Sequence, residues 1–227
     1  MNKKTNKLYP GDIFFIGDKN KDGKKSSFCE KIHAHFVYDV LKDDKYIIVD
    51  HLVFRDIKYQ QKNIIIGNGM QSLNVFRYKG PNKKIFVKCV RKLISIAFQY
   101  RNINDKKFNF PISSIITAPT PKSCFSKLSD YRIKKYNESI SKYISKSEDF
   151  TFPFRNVNCT ELFTMLWIMV IGTNGFKLDK LDPKIIDKIM PINPHRCLYI
   201  GLFKLCKKRP LYWEKIILNN VSQKLIK

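Results

Sequence analysis

The stretch that most constrains this chain is Asn158-Cys159-Thr160-Glu161 followed by the apolar run Leu162 to Ile171 and then Gly172. Asn158 suits an N-cap and Glu161 stands three residues later, so N-x-x-E reads as a capping box. The run is helical in length and stops at a glycine, a usual residue just past a helix end. This predicts a core helix whose first position is Cys159. Unpaired N–H groups and the positive end of the helix favour a thiolate there, and the same groups suit an oxyanion formed during attack on a carbonyl. A buried, inert cysteine at the start of a core helix fits the same pattern, so a histidine elsewhere has to decide.

Before the helix, the chain reads as short strands. Pro10-Gly11-Asp12 turns into Ile13 to Ile16, ended by Gly17-Asp18. Residues 33–40 and 46–53 carry β-branched and aromatic side chains and flank Asp43-Asp44, which predicts a hairpin. A two-residue turn sets Val37 opposite Asp50 and His35 opposite Leu52. Alternation then places His33, His35 and Asp50 on one face. Further strands are expected at 64–66 and 73–78. Helical spacing is evident at Val87, Val90, Leu93, Ile94, Ala97 and Phe98, and again at Ile133, Tyr136, Ile140, Tyr143 and Ile144. Residues 102–128, with three prolines, read as an irregular connection. Asp182-Pro183 opens another helix.

A cysteine hydrolase needs a thiolate, an imidazole that takes and returns the proton, and a polar group that orients the imidazole. Cys159, His33 or His35, and Asp50 supply these types. His51 reads as a strand residue on the opposite face, His195 lies in a Pro-bounded turn, and Trp167 reads as core.

The segments Pro10-Gly11-Asp12-Ile13-Phe14-Phe15, His33-Ala34-His35-Phe36-Val37-Tyr38 and Asn158-Cys159-Thr160-Glu161-Leu162 together resemble the circularly permuted papain-like cysteine hydrolases. That is the NlpC-type branch, which includes lecithin–retinol acyltransferase relatives and poxviral members. The resemblance implies an α+β fold, a small antiparallel sheet packed on the nucleophile helix. It implies thiol hydrolysis or acyl transfer on an amide or ester of a peptide or lipid, with no cofactor. Cys159 takes the nucleophile's place, His33 the base's, and Asp50 roughly that of the third polar residue. His35 falls where the family has a small residue, while the hairpin register favours His35 beside Asp50. His35 therefore stands as the alternative base.

At 227 residues the chain suits one domain, with a core over about 10–172 and a helical, basic extension over 173–227. Six cysteines without C-x-x-C spacing point to free thiols in a reducing, cytoplasmic setting (host cytoplasm if viral). His195, Cys197 and Cys206 match no standard zinc spacing. With 43 Lys+Arg against 19 Asp+Glu the net charge is +24. Two accounts stand: a field for nucleic acid or an anionic membrane, or a composition rich in Lys, Asn and Ile with no role in binding. The rival function is accordingly a non-catalytic basic binding protein on the same fold. Arg77, Tyr78 and Lys79 are its candidate nucleic-acid contacts.

Overall fold

A computed structural model describes residues 7–18, 33–41, 46–51, 57–62, 71–102, 125–154, 157, 159–194 and 199–216. Six strands and five helices lie among them: β1 Ile13–Asp18, β2 His33–Val40, β3 Tyr46–His51, β4 Ile57–Lys62, β5 Gln71–Tyr78, α1 Lys83–Asn102, α2 Asp130–Ile144, α3 Cys159–Gly172, α4 Pro183–Ile189, α5 Tyr199–Lys208 and β6 Trp213–Ile216. The strands form one antiparallel sheet in the order β4-β3-β2-β1-β5-β6. The protein is α+β, with the two chemically suggestive strands, β1 and β2, side by side in the middle of the sheet.

Alternation gives the sheet two buried faces. Ile13, Phe15, Ala34, Phe36, Val49, Phe76 and Tyr78 face the helices and share their core, whereas Phe14, Val37, Ile48, Val75 and Ile216 make a second cluster with Leu8. Helix α3 is apolar all round and is buried on every side from Thr160 to Thr173, as such a pattern requires. It lies on β2 and packs between α1 and α4. Tyr78 is the joint of this layer: its ring meets Phe86 at 5.7 Å, Trp167 at 5.3 Å and Trp213 at 5.4 Å. One side chain thus ties β5 to α1, α3 and β6.

The Pro10-Gly11 turn is needed for close approach. Gly11 has φ of +93° and a Cβ there would stand 2.6 Å from Val87 Cγ2 of α1. Its N–H donates to the Val37 carbonyl at 2.8 Å, which fastens the turn to β2.

Several expectations are corrected. Gly172 is not the left-handed residue after α3. It belongs to the last helical turn, where a Cβ would meet Leu181 Cδ2 at 2.6 Å, so glycine lets α4 close on α3. The left-handed residues are Asn174, Gly175 and Phe176, and the Gly175 N–H reaches back to the Val170 carbonyl. The segment beyond 172 does not extend from the core but completes it: Leu181, Ile186, Leu202 and Trp213 are buried with α3, and β6 is an edge strand of the sheet. Strand β4, with sequence IKYQQK, ends in a polar run and pairs in full with β3. The strand expected at 64–66, the Asp43-Asp44 turn, Asn158 and His195 lie outside the described residues, as does most of the 102–128 connection.

Candidate active site

Helix α3 begins at Cys159, in agreement with the capping pattern. One turn further on, Phe163 stacks on Phe36 of β2 with ring centroids 5.9 Å apart and planes 25° from parallel. The start of α3 therefore lies against the histidine strand. Thr160 and Glu161, the next two residues, are both buried. Across from them on α2, Tyr136 is fully buried, and burial drives its hydroxyl pKa far up, with the Glu161 charge adding to the rise.

The β2–β3 register differs from the two-residue hairpin. Phe36 pairs with Val49 and Val37 with Ile48, then a bulge shifts the pairing so that Asp39 meets Ile47 and Val40 meets Tyr46. The connection from Val40 to Tyr46 is five residues long, which alone would reverse the parity, and the bulge restores it. One step beyond the Phe36–Val49 pair, position 50 falls opposite position 35. The expected pairing of Val37 with position 50 is therefore not formed, since Val37 pairs with Ile48.

The His35 side chain is turned away from α3. The His35 ring, 5% exposed, stacks on Phe14 with centroids 4.8 Å apart and planes 12° from parallel, inside the second cluster, while the neighbouring Phe36 points to Phe163. His33 pairs with Ile16, two residues along from the His35–Phe14 pair. The side chains of Cys159, His33 and Asp50 lie outside the described residues.

The face that carries His35 also holds an ion pair invisible to sequence reasoning. Asp12 accepts two hydrogen bonds from Arg77, Nε to Oδ1 at 2.8 Å and NH2 to Oδ2 at 2.7 Å. The Tyr9 N–H donates to the same carboxylate, Arg77 NH2 also reaches the Lys7 carbonyl, and the guanidinium lies 4.4 Å from the Tyr9 ring centre. Burial pushes the Asp12 carboxyl up, and Arg77 offsets part of this. Burial alone would lower the Arg77 pKa, but hydrogen bonding and the charge of Asp12 raise it. Arg77 and Tyr78 are therefore not a nucleic-acid platform: one is locked on Asp12 and the other is core. The P-G-D segment is a structural clamp whose aspartate holds β5.

Of the described thiols, Cys89 is half-buried and Cys206 is buried. Burial raises the pKa of both, Cys206 strongly, despite Lys92 and Lys88 beside Cys89. Neither has the setting of a reactive thiolate. Among the described residues no group of His, Cys, Asp and Glu suits a metal ion, and no helix is long and apolar enough to cross a membrane. Compared with known protein families, curated proteins and solved structures, the chain matches none.

Proposed function

We propose that this chain is a thiol hydrolase or acyltransferase of the permuted papain-like kind, acting on an amide or ester through Cys159. The observation that carries the reading is a buried helix that begins on Cys159 and lies, one turn later, on the histidine strand through Phe163 and Phe36. The adjacency of the P-G-D strand and the histidine strand adds to it. In the reaction the thiolate adds to the carbonyl carbon, and the N–H groups of the first turn hold the oxyanion. The imidazolium of His33 then protonates the departing amine or alkoxide, and Asp50 orients the ring. Water, losing its proton to the imidazole, releases the acyl group and restores the thiol.

A second reading is favoured by one specific observation. The stack of His35 on Phe14 turns that ring away from the side of β2 that α3 covers. A chain so arranged is a non-catalytic basic binding protein for an anionic membrane or nucleic acid.

The two readings part in a burst experiment with a p-nitrophenyl ester. The hydrolase reading expects one equivalent of p-nitrophenol per active chain and an acyl group on Cys159, both lost in Cys159→Ala. No burst, or a burst that survives in Cys159→Ala, leaves the binding reading.

A further inference from the structure

We infer that the surface formed by the start of α1, the end of α2 and the turn after α3 docks on an anionic lipid membrane. Three of the large apolar side chains exposed on the protein lie in these segments: Ile85 at 40%, Ile144 at 42% and Leu178 at 39%. The segments are one surface. Asn82 donates to the Asn174 side chain at 2.8 Å, Cys89 Sγ reaches the Gly175 carbonyl, and Tyr143 packs on Phe176 with ring centroids 4.5 Å apart.

Charge identifies the occupant. Residues 83–92, 143–146 and 173–178 hold six lysines and one arginine, which outnumber the exposed Glu148, Asp149 and Asp179 at the border of the surface. Arg91 is engaged by Asp39 at 2.8 Å, and Lys83 is half-buried near Asp12 and Arg77. Lys84, Lys88, Lys92, Lys146 and Lys177 are exposed around the three aliphatic side chains. Ile85, Lys88 and Lys92 follow one another on one side of α1, at helical spacing. Aliphatic tips within a lysine field suit the headgroup and upper acyl region of an anionic bilayer. A single-stranded nucleic acid would need exposed aromatic faces for its bases, and here Tyr143 and Phe176 are turned on each other.

The surface is also preformed. Phe176 is held in the left-handed region at φ of +62°, where a bulky residue is rare. Its N–H donates to Thr173 Oγ1 at 3.0 Å, and that hydroxyl donates to the Met169 carbonyl at 2.6 Å. The turn that presents Lys177 and Leu178 is thereby fixed to the buried helix α3.

Docking does not depend on the chemistry proposed for Cys159, so Cys159→Ala serves as a control with binding unchanged. The test is co-sedimentation of the full chain with vesicles of phosphatidylcholine alone, or with about a third phosphatidylserine. Binding is expected only to the anionic vesicles, falling steeply with salt. Lys84→Glu/Lys88→Glu should lower affinity by at least about 25-fold, at roughly fivefold per lysine near the surface. Ile85→Ser/Leu178→Ser should lower it with less change in salt dependence, circular dichroism remaining that of the parent. Equal binding to neutral vesicles, no binding at low salt, or parental affinity in both variants overturns the proposal. Tight binding of an oligonucleotide with none to vesicles assigns the charge to nucleic acid and overturns it equally.

Discussion

His35 lies flat on Phe14, 4.8 Å between ring centres, on the face of β2 opposite to the one where Phe36 meets Phe163. The ring packs in the second core between β1 and β2. His35→Ala should cost about 2 kcal/mol in chemical denaturation, the scale of a lost buried ring and its stack. Alkylation of Cys159 should continue near the parental rate in the folded variant. A collapse of Cys159 reactivity with unchanged stability would make His35 the base.

Asp12 and Arg77 form a bidentate pair with side chains 0% and 8% exposed. Removing one partner strands the other charge. Arg77→Met should therefore cost about 3–5 kcal/mol, and the paired Asp12→Leu/Arg77→Met replacement should cost less than Arg77→Met alone. Urea denaturation of the parent, Asp12→Leu, Arg77→Met and the double variant decides this. Simple addition of two single-site losses would contradict it.

Gly172→Ala sets helix propensity, worth up to about 1 kcal/mol in favour, against a Cβ placed 2.6 Å from Leu181 and 2.9 Å from Ile186. Overpacking of this kind costs about 1–3 kcal/mol, so the variant should melt below the parent. A higher melting temperature would show that α4 yields easily.

Burial raises the phenol of Tyr143 to about 12 and drives those of Tyr78 and Tyr136 still higher. A pKa raised on folding favours the neutral, folded form. The contribution is complete below the unfolded value of about 10 and is lost as pH climbs through the folded one. Stability should therefore fall from about pH 10 upward. These three phenols should ionise late, together with the loss of circular dichroism. Free titration of all eleven tyrosines near pH 10 in the folded protein would contradict the placement.

The helices with a clear apolar stripe or run, α1 to α3, were legible because periodicity alone defines them, and Asp182 caps α4 as its sequence suggests, accepting from the Lys184 N–H at 2.8 Å. Strand β4 was not legible, since its only apolar residues are Ile57 and Tyr59 and it ends in the polar run Gln60, Gln61 and Lys62. Helix α5 and strand β6 hid in a lysine-rich tail in which Leu202, Leu205, Trp213 and Ile216 are buried while Leu211 is exposed. Which face of β2 helix α3 would cover was not legible. That choice depends on Phe36 meeting Phe163, a contact 127 residues apart in the sequence. The Asp12–Arg77 pair was hidden for the same reason, its partners being 65 residues apart.

Under the proposed function, Cys159 is an ionised nucleophile served by His33. The direct measurement is the rate of iodoacetamide labelling at each cysteine, read by peptide mass spectrometry near neutral pH in the parent and in His33→Ala. The account predicts Cys159 as the fastest site, well ahead of Cys89 and Cys206, whose thiols burial keeps protonated. His33→Ala should slow labelling of Cys159 on the order of 100-fold while leaving Cys89 unchanged. Labelling of Cys159 no faster than Cys89, or undiminished in His33→Ala, would contradict it.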